Sequence, residues 1–139
     1  MIDFTSRLGR HVKRRLRKEQ IIWLTTVDFN DAPQPRPVWF HWDETILIFS
    51  ERGKAKLRHI ERNPKVSLNF NTDEDGGDVA VIGGEARIMD APPASNRVKA
   101  YLRKYREGIK SLDMTVAEFS AAYTVPILVT PKALRGFVE

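Results

Sequence analysis

"IIWLTTVDFNDAPQPRPVWFHWDETILIF", residues Ile21–Phe49, is the stretch that decides the fold. Ile21–Val27 is rich in β-branched and aromatic side chains, the composition of a buried strand. "DFNDAPQPRP" follows, loaded with Asp, Asn and Pro, and reads as a turn. Val38–Trp42, "VWFHW", predicts a second strand, and "DET" a tight turn into a third, Thr45–Phe49. Connections this short cannot cross over a sheet, so the three strands are expected as an antiparallel meander. Alternation along the second strand puts Trp39 and His41 on one face and Phe40 and Trp42 on the other.

Upstream, Phe4, Leu8, Val12 and Leu16 recur every four residues, one apolar stripe on a helix that Asp3 or Thr5 is placed to cap. Downstream, a helix over 53–62 is ended by Asn63-Pro64. Lys65–Phe70 alternates as a strand, and "NTDEDGGD" is a loop. Asp78–Met89 is a long strand in which Gly83-Gly84 marks a bulge or a close backbone approach. Pro92 and Pro93 are expected to open a helix that runs to about Tyr105. Thr115 and Glu118 have capping-box spacing for a short helix ending near Tyr123. "PILVTP" (Pro126–Pro131) is a last core strand, with Leu134–Val138 as its extension. Six or so strands with a few helices make an α+β chain, mainly β, suited to a small barrel wrapped by helices. No repeat or linker divides it, so residues 1–139 read as one domain.

The chain has 139 residues, a net charge of +5 and no cysteine. Disulfides and thiolate chemistry are therefore excluded. No apolar run approaches the ~20 residues of a membrane span. The N-terminus lacks the apolar core of a secretory signal, so a cytoplasmic location is expected. The positive balance favours anionic partners. It is concentrated early: Arg7, Arg10, Lys13, Arg14, Arg15, Arg17 and Lys18 face only Asp3 and Glu19 within residues 1–20. A domain helix with a wet basic face explains this as simply as nucleic-acid binding does. No helix-turn-helix, RNA-recognition or zinc-finger pattern accompanies it, which argues against a nucleic-acid partner.

The chemistry-bearing residues are sparse. His11, His41 and His59 are scattered, with no i,i+4 pair at metal-ligand spacing. There is no G-x-S-x-G elbow, no phosphate-binding G-x-x-x-x-G-K-[ST] and no G-x-G-x-x-G. With no nucleophile or acid–base pair in view, any enzymatic chemistry falls to a cofactor. One stretch could hold it. In "SERGKAKLRHIERNP" (Ser50–Pro64) a strand-end hydroxyl, a glycine turn and a helix start carrying Lys54 and Lys56 make a workable anion cradle. On spacing alone a solvated basic helix accounts for the same pattern equally well.

At this point the sequence resembles the pyridoxamine-phosphate-oxidase-like split β-barrel family, and within it the deazaflavin (coenzyme F-420)-dependent oxidoreductase branch. The resemblance is carried by "WLTTVDFNDAPQPRPVWFHWDE", "ILIFSERGKAKLRHIERNPKVSLNF", "GGDVAVIGGEARI" and "KYREGIKSLDMTVAEFSAAYTVPILVTPKALRG", in the family's order. It implies a six-stranded antiparallel split barrel (the FMN-binding split barrel) with peripheral helices. It also implies a homodimer with two cofactor sites at the subunit interface. Ser50, Lys54 and Lys56 match the family's phosphate positions. Pro37, Val38, Trp39, Phe40 and the backbone of Ile48 and Phe49 match those along the ring system. Two departures stand out. His59 replaces an Asn common in relatives, and the end "LVTPKALRGFVE" lacks the Trp- and Arg-rich motif of the pyridoxal-phosphate-making members.

The function the resemblance implies is hydride transfer from reduced F-420 to a flat or hydrophobic, electron-poor small molecule. An FMN-binding flavoprotein or flavin reductase is the alternative, and a non-catalytic carrier of flavin or haem a further one. Tyr101, Tyr105, Tyr123, His41 and solvent stand as equal candidates for a general acid. The basic first helix could meet the cofactor's oligoglutamate tail.

Overall fold

The structure is a computed structural model that describes residues 2–138. The first helix, α1 (Arg7–Lys18), buries Val12 and Leu16 of the expected stripe. Ser6 is its cap: its hydroxyl accepts from the Gly9 N–H at 3.0 Å. Asp3 and Thr5, the expected caps, are engaged with each other instead. Arg15, Arg17 and Lys18 in the last turn complement the negative end of the helix dipole.

Strand β1 (Ile22–Val27) lies where the composition predicts a strand, and it buries alternate residues. The next segment corrects the sequence reading. The Pro-rich stretch is a strand, β2 (Pro33–Val38), paired antiparallel with β1. Its prolines occupy every second position, opposite Val27, Thr25 and Trp23. All three missing N–H groups therefore point away from β1, and Gln34, Arg36 and Val38 supply the ladder. An edge strand tolerates this pattern where a central one does not. The expected strand Val38–Trp42 is broken: β2 ends at Val38, and β3 (His41–Asp43) begins after Trp39-Phe40. This break makes seven strands where six were expected.

The remaining elements are β4 (Thr45–Ser50), α2 (Ala55–Arg62), β5 (Lys65–Asn69), β6 (Asp78–Ile88), α3 (Ser95–Lys104), α4 (Arg106–Ser111), α5 (Val116–Ala122) and β7 (Val125–Val138). The β6 bulge falls at Gly83/Gly84 as expected. Pro92 and Pro93 lie before α3 rather than opening it, with Ala94 as its cap. The sequence reading missed α4. The capping box at Thr115 and Glu118 is present, with both hydrogen bonds made.

All seven strands form one antiparallel sheet in the order β2-β1-β5-β6-β7-β4-β3. Val38 and His41 are three residues apart in the chain yet lie in strands at opposite ends of that sheet. This is possible only if the sheet curls until its edges meet: a split barrel, closed by the chain at Trp39-Phe40. The break leaves a peptide without ladder partners, and two side chains supply them. The Tyr105 hydroxyl accepts from the Phe40 N–H at 2.8 Å and lies 2.7 Å from the Gln20 carbonyl, to which it donates. The Lys104 ammonium donates to the Phe40 carbonyl at 2.8 Å and sits 3.7 Å from the Phe40 ring centre.

Inside the barrel Phe40, Ile46, Ile48, Leu24, Leu68, Ile82, Ile127 and Val129 form the main core, which Val12 and Leu16 of α1 and Leu57 and Ile60 of α2 complete. Full burial of each such aliphatic chain contributes about 1.5–3 kcal/mol. A second cluster lies among α3, α4 and α5, where Tyr101, Tyr105, Ile109 and Phe119 pack with Trp39 and Phe49. Trp39 and Phe40 thus serve different cores. Among the described residues, no helix is long and apolar enough to cross a membrane.

Candidate functional site

The split in the barrel is the candidate site. Strand β3 pairs with β4 only from Thr45 to Leu47, so beyond Leu47 that edge of β4 has no strand on it. The outer edge of β2 is likewise free of a further strand. Between them lies an apolar cleft of about 400 Å³, walled by Pro37, Val38, Trp39, Phe49, Phe119 and Tyr123 and rimmed by Ile21 and Leu112. Adjoining it is a polar recess of about 530 Å³, lined by Thr26, Asp28, Gln34, Arg36, Lys54 and His59. Pro37 and Lys56 belong to both.

Rigid packing builds the apolar wall. Trp39 stacks on Tyr105 with centroids 4.5 Å apart and planes 4° from parallel. Phe119 lies 5.6 Å from Trp39 and stacks on Tyr123 at 4.4 Å. Gly108 makes room for this stack, because a Cβ there would meet the Trp39 ring at 3.0 Å. The Phe49 ring stands edge-on to Tyr101 at 4.8 Å.

The recess crowds positive charge. Burial lowers the pKa of Lys56 first, and the charges of Lys54 and Arg36 lower it further against the opposing pull of Glu51. Glu51 pairs with Lys54 at 3.7 Å. No described carboxylate pairs with Lys56 or Arg36. Lys54 is also the cap residue of α2 and makes no side-chain cap bond, so the first N–H groups of that helix lack a side-chain acceptor. Asp28 does not neutralise the recess. Its carboxylate accepts from the N–H groups of Asn30 and Ala32 and from Gln34, which hold its pKa down. Mutually repelling cations, helix N–H groups without a side-chain cap and an adjoining aromatic slot fit a phosphate attached to a flat ring.

Of the residues expected from sequence, Pro37, Val38, Trp39, Phe49, Lys54 and Lys56 come together here. Three do not line either hollow. The side chains of Phe40 and Ile48 point into the barrel core, while the backbone of Ile48, the part expected at the ring, lies on the β4 edge that β3 leaves unpaired. Ser50 is 1 % exposed, and its hydroxyl donates to the Glu51 carbonyl at 2.8 Å. Sequence reasoning missed Arg36, hidden in the stretch read as a turn, and Thr26, Phe119 and Leu112, brought in by folding. None of the basic side chains of α1 lines the site; Lys13 and Arg17 line a separate recess with Phe4 and Trp42.

The four candidate acids separate. Tyr105 is committed to the strand break. Tyr101 also lines the cleft but is only 1 % exposed, packed against Phe49. His41 lies outside the cleft, with its Nδ1 accepting from Arg97 at 3.1 Å. Tyr123 lines the cleft half-exposed, and burial first, then neighbouring Glu51, raises its pKa, which keeps the phenol protonated at neutral pH.

Comparison with known proteins gives a consistent picture. A family model described as pyridoxamine 5'-phosphate oxidase matches residues 8–125. The pyridoxine/pyridoxamine 5'-phosphate oxidase of Citrobacter koseri is 27% identical over 122 residues, covering 81% of this chain and 56% of that protein. The chain thus spans about half the length of the curated relatives it matches. Among solved structures, an F420 reductase superposes with a TM-score of 0.67 at 25% identity, covering 88% of this chain and 94% of that one. The heme storage protein HutZ of Vibrio cholerae superposes with a TM-score of 0.70 at 18% identity, covering 96% and 98%, a likeness of fold.

Proposed function

The chain belongs to the pyridoxamine 5'-phosphate oxidase family, and from that premise we propose that it is an oxidoreductase that uses reduced coenzyme F-420 to reduce a flat or hydrophobic, electron-poor small molecule. One observation carries the reading: the apolar slot and the cationic recess share Lys56 and Pro37. A ring and its phosphate need those two environments side by side. The F420 reductase likeness and the +5 charge, suited to an acidic cofactor tail, favour the deazaflavin. FMN would use the same cradle and wall, and is the second reading. A haem carrier is less well supported, because no histidine lines the apolar cleft among the described residues.

The cofactor would supply the hydride. The chain's residues would do the rest. Lys56, Lys54 and Arg36 hold the phosphate and so fix the ring's position along the slot. Trp39, Phe49 and Phe119 give the ring a dry, rigid wall, which strengthens every electrostatic contact inside it. Tyr123 offers a proton at the cleft wall. Leu112 is 49% exposed on the rim, an apolar side chain that a second copy of the chain would cover in the homodimer we propose.

The test is a titration of the purified protein with F-420 and with FMN, followed by tryptophan fluorescence, beside the Lys56→Ala variant. Tight F-420 binding, at least tenfold weaker in the variant, is the expected result, since loss of a charged hydrogen-bond donor costs roughly 1.5–3 kcal/mol. FMN binding without F-420 binding would move the protein to the flavin reading. Equal affinity in wild type and variant would sink the placement of the phosphate.

A further inference from the structure

His59 lies on α2, three residues beyond Lys56, and lines the cationic recess. Its Nδ1 is 2.8 Å from the Thr26 hydroxyl. Thr26, on β1, is 1 % exposed, and among the described residues this imidazole is the hydroxyl's one hydrogen-bond partner. A buried hydroxyl places its one proton on an acceptor, and the imidazole nitrogen is the acceptor beside it. Nδ1 is then the accepting nitrogen, and the neutral ring carries its proton on Nε2.

Asp28 is the one carboxylate that lines the recess with His59 among the described residues. Its Oδ1 accepts from the Asn30 and Ala32 N–H groups at 2.8 and 3.0 Å and its Oδ2 from Gln34 at 2.9 Å, and His59 makes its hydrogen bond to Thr26 instead. The other charged groups lining the recess, Arg36, Lys54 and Lys56, are donors. Among the described residues Nε2 makes no hydrogen bond, and His59 lines the hollow where an anion would sit.

We propose that Thr26 locks His59 in the Nε2–H tautomer, and that this N–H is a directional donor to the phosphate group held among Lys54, Lys56 and Arg36. The inference rests on the cofactor reading for the identity of the anion. It adds something the lysines cannot. An ammonium on a four-carbon stem is a mobile point charge, whereas a tethered imidazole fixes the angle of one bond and so the orientation of the phosphate. Thr26 is a positioning residue in this scheme and His59 a binding residue.

Two measurements test it at about pH 8, above the ordinary imidazole range. Long-range proton–nitrogen spectra read the tautomer without any ligand. Titration with F-420 and with FMN reads affinity in wild type, Thr26→Val, Thr26→Ser, His59→Phe and Lys56→Ala. The Nε2–H tautomer is expected in wild type, a mixture in Thr26→Val, and recovery in Thr26→Ser. Cofactor affinity should fall roughly tenfold in His59→Phe and several-fold in Thr26→Val, and return in Thr26→Ser. An Nδ1–H tautomer in wild type overturns the proposal. So does His59→Phe binding as wild type does while Lys56→Ala binds weakly. Binding of neither cofactor by wild type would overturn the cofactor reading and this inference with it.

Discussion

Lys56 is the residue on which the site turns, since it belongs to both the slot and the recess. In the free protein its pKa is lowered, by burial first and then by Lys54 and Arg36. A bound anion stabilises the charged form and raises that pKa again. The complex therefore holds more protons than the free protein at alkaline pH, and affinity falls as pH rises through the free-state pKa of Lys56. Calorimetric titrations in buffers of different ionisation enthalpy should register net proton uptake on binding at alkaline pH. Uptake that persists unchanged in Lys56→Ala would assign it elsewhere. Lys54 and Lys56 were legible in the sequence because a glycine turn before a basic helix start is a local pattern. Ser50 was equally legible and yet faces inward, because strand alternation fixes its side from the core residues Ile46 and Ile48, not from the turn that follows. Arg36 was not legible at all, since a Pro-rich stretch conceals a strand.

Among the elements, β2 and β7 carry the lesson. Proline content argued for a turn over Asp28–Pro37, but the prolines alternate, and alternation matters more than number on an edge strand. The C-terminal segment follows expectation: Leu134–Val138 extends Pro126–Pro131 within one strand, β7, running from Val125 to Val138. Gly136 lets this strand lie close against β6. Its φ is +146°, and a Cβ there would lie 1.9 Å from the Val79 carbonyl oxygen across the ladder. Gly136→Ala should therefore separate β6 from β7 near this pair and cost about 3 kcal/mol or more. Gly53→Ala provides the contrast: its φ is +74° but nothing lies within 4 Å, so only the backbone penalty of about 1–2 kcal/mol applies. Urea unfolding compares the two, and equal costs would refute the steric argument.

At the scale of the whole molecule, closure depends on the pin at Trp39-Phe40. Lys104, half-buried there, has its pKa pushed down to about 8, chiefly by burial. The folded value lies below the unfolded one, so the unfolded chain binds more protons between about pH 8 and the ordinary lysine value of 10.5. Its contribution to stability accordingly rises with pH across that window. Tyr101 and Tyr105 act in the opposite sense above pH 10.0, because burial raises their folded values and the unfolded chain then releases protons first. Stability measured from pH 7 to 10 should rise more steeply in wild type than in Lys104→Met, by a modest amount given the partial exposure of the ammonium. Parallel curves, whatever their vertical offset, would refute the assignment.

Local chemistry specifies several elements outright: the stripe of α1, the strands β1, β4 and β5, the bulge at Gly83-Gly84, the capping box of α5 and the basic opening of α2. Each is a pattern within a dozen residues, and a short stretch of chain contains all the information it needs. Tertiary structure alone decided the rest. It broke one strand at Trp39-Phe40 so that the two ends of a sheet could meet, and placed Tyr105 and Lys104 against the exposed peptide. It turned Ser50 inward and Lys56 outward. It also carried Thr26 to His59 and Phe119 to Trp39 across separations of 33 and 80 residues in the chain. The reason is physical: a cleft formed by the gap in a curled sheet exists only once the sheet has closed.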